Sequence, residues 1–276
     1  MKELKYFNQL SEYTADKENF TYPTVSYVEE NKEVYYEKPE VRIVTYTTTE
    51  TSQQVRLVNK QEYLDYCKIL DTNEELSITG SGALNYTFAD AGEHQVELKF
   101  KDDATTLQQA FSGCSELTNI PENLFSNNTK VTNFYSTFND CSGLTSIPEN
   151  LFTNNKSVTD FQTTFSRCSG LTSIPENLFS NNTAVTHFSS TFGYCSGLTS
   201  IPDNLFSNCT NVTNFNSTFE NCRGLTGTVP TDTDGTPIYN RSDEGKEGYA
   251  VVTNYDNCFR NCTGLTDYGS IPSGWK

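Results

Sequence analysis

The sequence is poor in positive charge, and this restricts the partners that it can have. Lys and Arg number 19 against 35 Asp and Glu, the formal net charge is −16, and no basic cluster occurs. Nucleic acids and anionic membrane surfaces attract basic side chains. The sequence therefore predicts a protein that binds neither.

Long apolar segments are also missing. No apolar run reaches the length of about 18 residues that a membrane-spanning helix needs. The opening stretch MKELKYFNQLSEYTADKENF has no apolar segment of the kind found in secretory signals. We expect no transmembrane segment, and the chain either is not exported by the secretory route or begins after a removed leader.

Residues that commonly carry chemistry are scarce. His94 and His187 are the two histidines, and they are not spaced as metal ligands. No glycine-rich phosphate loop or nucleophile elbow occurs. The stretch DTDG fails as an EF-hand because its first and twelfth positions would be Pro230 and Arg241, although a looser calcium loop stays an alternative. We predict a protein that is not an enzyme, with no catalytic residue, cofactor or metal.

What the sequence does contain is one segment repeated at a fixed interval. Five cysteines follow one another every 27 residues, with a Phe three residues before each and a Leu three residues after each. This cysteine row consists of Cys114, Cys141, Cys168, Cys195 and Cys222. A sixth unit resumes at Val252–Leu265, after extra residues at 231–250 that are rich in Gly, Asp and Pro and that we interpret as a surface loop.

The period predicts a fold. A unit of 27 residues lies within the range of leucine-rich repeats, and its apolar residues are mostly three apart. One unit buries about six large side chains, worth roughly 1.5–3 kcal/mol each, against about 1–2 kcal/mol per ordered residue. A lone unit therefore does not fold, and stacking must supply the rest. We predict a mainly β solenoid of about six coils, each with two short extended pieces and a helical or 3₁₀ turn at IPENLF.

One cysteine in each coil would stack on the next. Parallel Cβ atoms at roughly 4.8 Å lie beyond the mean of about 3.8 Å found in disulfides. We therefore interpret the row as buried thiols that act as small apolar side chains; disulfides within the row and a column of metal ions are the alternatives. Cys67, Cys209 and Cys258 lie outside the row, and nine cysteines leave at least one unpaired.

The repeated segments TFNDCSGLTSIP, TFSRCSGLTSIP and TFGYCSGLTSIP resemble the BspA-like leucine-rich-repeat family of bacterial surface proteins. The segment NVTNFNSTFENCRGLT is similar to the related short repeats, and the resemblance extends over about 104–272. It implies a role in adhesion and binding and supplies no catalytic motif.

Three regions are predicted along the chain. Residues 1–40 suggest a helix followed by a hairpin, either an attachment or self-association segment or a plain extension. Residues 41–103, with VRIVTYTT, QVRLVN and two strands around a glycine turn at 86–102, suggest a small β-sandwich-like module that caps the first coil. Residues 104–276 hold the repeats, and Trp275 is predicted to close the last coil.

A ligand would contact positions that vary between coils. Two columns meet this condition, and together they form the candidate ligand-binding face: Tyr135, Gln162, Ser189 and Asn216 in one, and Asp140, Arg167, Tyr194 and Asn221 in the other. Tyr135, Arg167 and Tyr194 are favoured, because aromatic residues and Arg dominate binding hot spots. The alternative is that solvent-exposed positions vary without constraint.

Two functions are compatible with these features. The first is a bacterial surface or secreted adhesion module, extracellular or at the cell surface, that recognises a protein or glycan, host-derived ligands included. The second is a structural component of a larger assembly, such as a phage tail-associated or fibre protein, that docks or self-associates through residues 1–40.

Overall fold

The computed structural model describes residues 4–7, 24–27, 34–37, 42–242 and 247–276. Its contacts divide the chain into two units, Met1–Val41 and Arg42–Lys276. In the first unit, strands β1 (Leu4–Phe7), β2 (Thr24–Tyr27) and β3 (Val34–Glu37) form an antiparallel sheet in the order β1-β3-β2.

The first unit differs from its predicted structure at one point. The segments TVSYV and EVYYE contain β2 and β3, which pair with each other. The helix predicted before them is wrong at Leu4–Phe7, because this segment is a strand paired along its whole length with β3, and its Tyr and Phe are residues that strands favour. The rest of the predicted helix lies outside the described residues.

The second unit begins with two antiparallel sheets. Its strands are β4 (Ile43–Thr48), β5 (Gln53–Val58), β6 (Leu64–Ile69), β7 (Glu74–Glu75), β8 (Leu84–Phe88), β9 (Gly92–Phe100) and β10 (Leu117–Asn119). Five of them form a sheet in the order β10-β4-β9-β6-β7, and β5 pairs with β8. The two strands predicted at 86–102 are β8 and β9, and they belong to different sheets.

Helices are few and short in the described part of the chain. Four 3₁₀ segments are present: Gln61–Tyr63, Ile238–Ser242, Tyr268–Ser270 and Ser273–Trp275. At IPENLF the chain makes a single turn of 3₁₀ type, as predicted, with a hydrogen bond of 3.1 Å from Leu124 N to Pro121 O. The described part of the molecule is therefore mainly β with turns.

The repeats consist almost wholly of turns. Of the two extended pieces predicted in each repeat, one is a strand only in the first repeat, as β10. The other is reduced to a single bridging residue, which pairs in parallel with that of the next repeat: Thr106, Asn133, Asp160, His187, Asn214 and Asn254. The reason is local, since turn follows turn along the chain. Thr137 N donates to Phe134 O at 3.1 Å, and Cys141 N donates to Phe138 O at 3.2 Å. Such continuous turning leaves no length for a regular strand.

Neighbouring repeats are joined by main-chain hydrogen bonds. Four amides of one repeat donate to four carbonyls of the next: Phe134 N to Asp160 O at 3.0 Å, Ser136 N to Gln162 O at 2.9 Å, Phe138 N to Thr164 O at 2.8 Å and Asp140 N to Ser166 O at 2.9 Å. The same four positions recur one period later. Each repeat thus satisfies its own backbone only when its neighbour is present.

The core between the repeats is built from stacked Phe side chains. In one row the ring centroids of Phe111 and Phe138 are 5.3 Å apart, and those of Phe138 and Phe165 are 5.4 Å apart, with interplanar angles of 5° and 4°. Two further rows run parallel to it, one with Phe134, Phe161, Phe188 and Phe215 and one with Phe125, Phe152, Phe179 and Phe206. Identical side chains at identical spacing explain why the segment is repeated.

The glycine of CSGL has a steric reason. A Cβ on Gly143 would lie 2.5 Å from Ser115 O of the preceding repeat, too close for any other residue. In the first repeat the same position is Glu116. That exception follows from its neighbour, because Glu116 O accepts a hydrogen bond of 2.8 Å from Thr47 N, at the edge of the sheet.

Both ends of the repeat region are covered. At the first repeat, β10 pairs with β4, with Leu117 opposite Tyr46. At the last repeat, Trp275 is fully buried, its ring stacks on Tyr255 at 4.9 Å, and its carbonyl accepts a hydrogen bond of 2.7 Å from Phe259 N. That carbonyl takes the place that Thr164 O has beside Phe138 N.

Candidate binding surface

The cysteines are interior side chains and not reactive groups. All nine are free and buried. The Cys141 thiol donates to Phe111 O at 3.1 Å, and Cys168 donates to Phe138 O at 3.0 Å, a contact that recurs along the row. Burial raises the pKa of Cys195 to about 12. A thiol held protonated in this way is a poor nucleophile.

Of the cysteines outside the row, Cys67 lies on β6, and the other two occupy positions that recur in the repeats. Cys258 stands where the other repeats have the buried Thr218 and its counterparts. Cys209 stands one period after Asn182 and donates to the carbonyl of Asn182 at 3.7 Å. An asparagine row precedes it, formed by Asn128, Asn155 and Asn182.

In the asparagine row, Asn128 donates to Lys101 O at 2.9 Å, and the other two side chains bond the preceding repeat. Asn155 Nδ2 donates to Asn128 O at 2.9 Å and to Phe125 O at 3.2 Å, and Asn182 repeats this arrangement. This row was not predicted from the sequence, because Asn is typical of surfaces and turns. Its recurrence every 27 residues was the available signal.

The inserted segment 231–250 was predicted to be a surface loop, and this is wrong for its central residues. Asp232, Ile238 and Arg241 are each 1% exposed or less. Arg241 donates to Cys209 O at 3.3 Å and to Phe206 O at 3.0 Å, the two carbonyls that an asparagine of a further repeat would bond. The segment is buried because it ends the asparagine row.

The aspartate at the start of DTDG is already engaged. Both carboxylate oxygens of Asp232 accept hydrogen bonds from the Arg241 guanidinium, and the Nε–Oδ2 distance is 3.2 Å. The Tyr249 ring lies 4.1 Å from the same guanidinium. This carboxylate is therefore not free to serve in a calcium loop, and within the described residues no cluster of side chains has the composition of a metal site.

An acid, a histidine and a hydroxyl meet where strand β4 ends and strand β9 begins. His94 Nδ1 lies 2.6 Å from Asp71 Oδ2, and His94 Nε2 lies 3.0 Å from Thr48 Oγ1. Thr48 is only 3% exposed, and its hydroxyl donates to Asp90 O at 3.0 Å. A hydroxyl so enclosed cannot reach a substrate, and the group instead ties β4 and β9 to the neighbouring turns.

The column of Tyr135, Gln162, Ser189 and Asn216 is less accessible than predicted. Three of its residues are half-buried, whereas Ser189 is 8% exposed and does not belong to an open face. Ser189 has the shortest side chain of the column and lies between Gln162 and Asn216, which explains its burial. The amide of Tyr135 is also fixed, at 2.6 Å from Asn133 Oδ1.

The column of Asp140, Arg167, Tyr194 and Asn221 lies further out. Asp140, Arg167 and Tyr194 are exposed, and Asn221 is half-buried. All four have left-handed backbones, with φ of 59°, 62°, 64° and 61°. We name these four residues the outer column.

Two residues of the outer column contact each other. The Arg167 guanidinium carbon lies 4.8 Å from the centre of the Tyr194 ring, and Tyr194 is 42% exposed. Left-handed backbone is favourable for Gly, Asn and Asp and unfavourable for larger side chains. Asp140 and Asn221 therefore suit their positions, whereas Arg167 and Tyr194 do not. Thr163 is also left-handed, with φ of 54°, so what distinguishes Arg167 and Tyr194 is the contact between two large exposed side chains.

The surroundings of this pair are small and polar. The residues just before Arg167 and Tyr194 are Ser166 and Gly193, both buried. One step further along, Glu220 receives a hydrogen bond of 3.3 Å from Asn221 Nδ2 and lies 3.7 Å from Arg260 Nη1.

Among the described residues, none of the helices has the length and apolar character that crossing a membrane requires.

Stacked units of one length, joined by backbone bonds and by rows of identical side chains, define a repeat protein. A family model described as BspA type leucine rich repeat region matches residues 85–226 in six copies, slightly more than half of the 276 residues. The chain belongs to this family. The match begins upstream of residue 104, within the sheets, and ends before the inserted segment. A search of curated proteins finds no match.

Proposed function

We propose that the protein is a non-catalytic binding module, displayed at a bacterial cell surface or secreted, that recognises its ligand through the outer column. The contact between Arg167 and Tyr194 carries the proposal, because both side chains are exposed and occupy backbone positions that favour other residues. Local backbone strain of about 1–3 kcal/mol per residue is characteristic of functional positions. Family membership supports a role in interaction.

The rest of the molecule has a supporting part in this proposal. The repeats form a solenoid whose turns present the outer column at regular steps, and residues 42–103 act as a sandwich-like cap on its first coil. The pairing of β10 with β4 supports the cap. Main-chain bonds on both sides of each repeat hold the column in place before a ligand arrives, which lowers the entropic cost of binding.

The second function, a structural component of a larger assembly, rests on a different observation. The segment Met1–Val41 forms a compact unit of its own with an antiparallel three-stranded sheet. A separate unit of this size suits docking or self-association. Light scattering of the full chain and of a version without residues 1–41 tests it. If both versions contain the same number of chains per particle, the second function loses its support.

The experiment that tests the first function is a binding screen against immobilised proteins and glycans with the full chain. We expect the double variant Arg167→Asn/Tyr194→Asn to lose at least about tenfold in affinity for any ligand found, which is the size of effect that hot-spot residues produce. Asn suits a left-handed backbone, so the variant retains its fold. Lys156→Asn, which removes an exposed charge elsewhere on a coil, is the matched control. Binding unchanged in the double variant would place the ligand on another surface.

A further inference from the structure

The chemistry of the outer column restricts the class of ligand, provided that the proposed binding function holds. Among the large apolar side chains of the described residues, only Tyr194 and Val251 are strongly exposed, each at 42%. A standard protein interface buries roughly 800 Å² per partner around an apolar core from which charge is depleted. The outer column offers one ring among charged and amide groups, which is a poor match to such a core.

A sugar ring needs a different set of contacts. It presents one face of C–H groups, which packs on an aromatic ring, and a rim of hydroxyls, which hydrogen-bond to planar polar groups. The outer column supplies both kinds of partner within four successive repeats: the Tyr194 ring, the guanidinium of Arg167 and the amide of Asn221 in the repeats on either side of it, and the carboxylate of Asp140 one repeat further. A guanidinium or a carboxylate can bond two neighbouring hydroxyls, whereas the Asn221 amide already bonds Glu220 through Nδ2 and Asn261 through Oδ1 and offers a sugar less.

The length of the column favours a chain of sugars over a single one. The Phe rings of the same repeats, from Phe138 to Phe219, are stacked at 5.4, 5.7 and 5.6 Å. The outer column follows this spacing, because its amides bond from repeat to repeat: Asp140 N to Ser166 O, Arg167 N to Gly193 O and Tyr194 N to Glu220 O. Polar groups at such steps along a line match an extended oligosaccharide.

Charge decides between neutral and acidic sugars. The protein carries a net charge of −16, and the outer column itself balances one carboxylate against one guanidinium. Two further guanidiniums lie next to it: Arg260 Nη1 is 3.7 Å from Glu220, and Arg223 Nη2 is 3.5 Å from Asn221 Oδ1. The overall negative charge disfavours sulfated and carboxylated glycans, and each guanidinium at the column already contacts a ring, a carboxylate or an amide of the protein.

From these observations we infer that the outer column binds a neutral oligosaccharide, with a sugar ring packed against the exposed face of Tyr194. Arg167 holds the Tyr194 ring through their contact and bonds hydroxyls with its remaining N–H groups. The inference names the ligand class of the surface proposed above and does not assign the sugars.

The test uses the full chain and saturation-transfer NMR against neutral oligosaccharides of three or more units, with sulfated and sialylated sets and a protein panel beside them. We expect transfer from the aromatic signals of the protein to a neutral glycan. Tyr194→Leu should lower its affinity by about tenfold, while Tyr194→Phe should lower it by less than about threefold because the ring remains. Lys156→Asn should have no effect.

The outcomes separate the ligand class from the surface. A protein ligand or an acidic glycan that is lost in Arg167→Asn/Tyr194→Asn, with no neutral glycan bound, overturns the sugar inference and leaves the binding surface standing. A neutral glycan bound equally well by Tyr194→Leu also overturns it. Ligands that bind the double variant as they bind the native chain overturn the surface and the inference together.

Discussion

At the scale of the residue, Arg167 and Tyr194 have large side chains on a left-handed backbone that favours smaller ones. Their positions recur along the molecule, and two of the equivalents, Asn221 and Asn261, are residues for which a left-handed backbone is ordinary. The contact between the two side chains returns about 0.5–1 kcal/mol at an exposed site. This is less than the strain of two large residues at positive φ, about 1–3 kcal/mol each. The pair therefore weakens the fold.

The first prediction about stability follows from this difference. Arg167→Asn/Tyr194→Asn should raise the free energy of unfolding by about 1 kcal/mol, because strain is relieved at two positions while one exposed contact is lost. The midpoint of urea denaturation measures the change. Asp140→Asn, which exchanges two residues that both tolerate a left-handed backbone, is the control and should leave the midpoint unchanged. A lower midpoint in the double variant would mean that the pair stabilises the fold.

Residue burial in the repeats was largely predictable from the period. The cysteine, phenylalanine and leucine positions are buried as expected, since identical apolar residues at a constant step must face a common interior. Ser189 and the asparagine row were not predictable in this way. Their burial depends on what the neighbouring repeat supplies, a longer side chain in one case and two carbonyl groups in the other, and polarity alone does not reveal this.

At the scale of the element, the inserted segment supplies the hydrogen-bond donors that a further repeat would have supplied. Asn155 and Asn182 each bond two carbonyls of the repeat before them, and Arg241 does the same for Phe206 and Cys209. A guanidinium supplies these donors from a loop and brings a charge, which Asp232 neutralises. The inserted segment thus ends the asparagine row, and we call it the plug. Trp275 ends the Phe rows in the same way.

The plug can be tested through its buried ion pair. Arg241→Met should lower the free energy of unfolding by about 3–5 kcal/mol, because Asp232 is left buried without its partner and two carbonyls lose their donors. Arg241→Met/Asp232→Leu should recover much of the loss. Arg260→Met is the control: its side chain is 56% exposed, and a surface pair is worth about 0–1 kcal/mol. Chemical denaturation distinguishes the variants, and a mild effect of Arg241→Met alone would show that the row ends without the plug.

Strands were predictable where burial alternates and not where it breaks. In β4 the pattern alternates along the whole strand, and its position was predicted as VRIVTYTT. In β6, the pairing with β9 shifts register between Leu64 and Tyr66, so the buried residues are not evenly spaced. The segment LDYCKI therefore lacks the pattern of a strand in sequence, although its pairing with β9 makes it one.

At the scale of the whole molecule, Arg42–Lys276 forms one unit in which every repeat depends on its neighbours. The sheets enter this unit directly, since the Cys114 thiol lies 3.6 Å from Leu57 O and Phe100 packs on Phe111 at 5.8 Å. A continuous core of this kind carries buried thiols along its length. Their common chemistry gives the molecule a collective response to alkaline pH.

Burial raises the pKa of Cys67, Cys195, Cys209 and Cys262 from 9.0 to about 12, and raises the pKa of the other five cysteines as well. Unfolded thiols therefore lose their protons above about pH 9, while folded thiols keep theirs until about pH 12. In that window the unfolded chain binds fewer protons. Stability is then complete below pH 9 and falls as the pH rises, by up to about 1.4 kcal/mol per pH unit for each thiol.

We therefore expect the midpoint of urea denaturation, measured under reducing conditions, to be constant from pH 7 to 8.5 and to fall steeply from pH 9 to 11. Cys209→Asn restores the residue of the asparagine row and removes one thiol. The midpoint of this variant should therefore fall less steeply with pH, by the contribution of one thiol. Lys156→Asn, which removes an exposed charge, should follow the native curve. A midpoint that stays constant up to pH 11 would mean that these thiols are exposed to solvent in the folded molecule. That result would contradict a continuous core from the sheets to the last repeat.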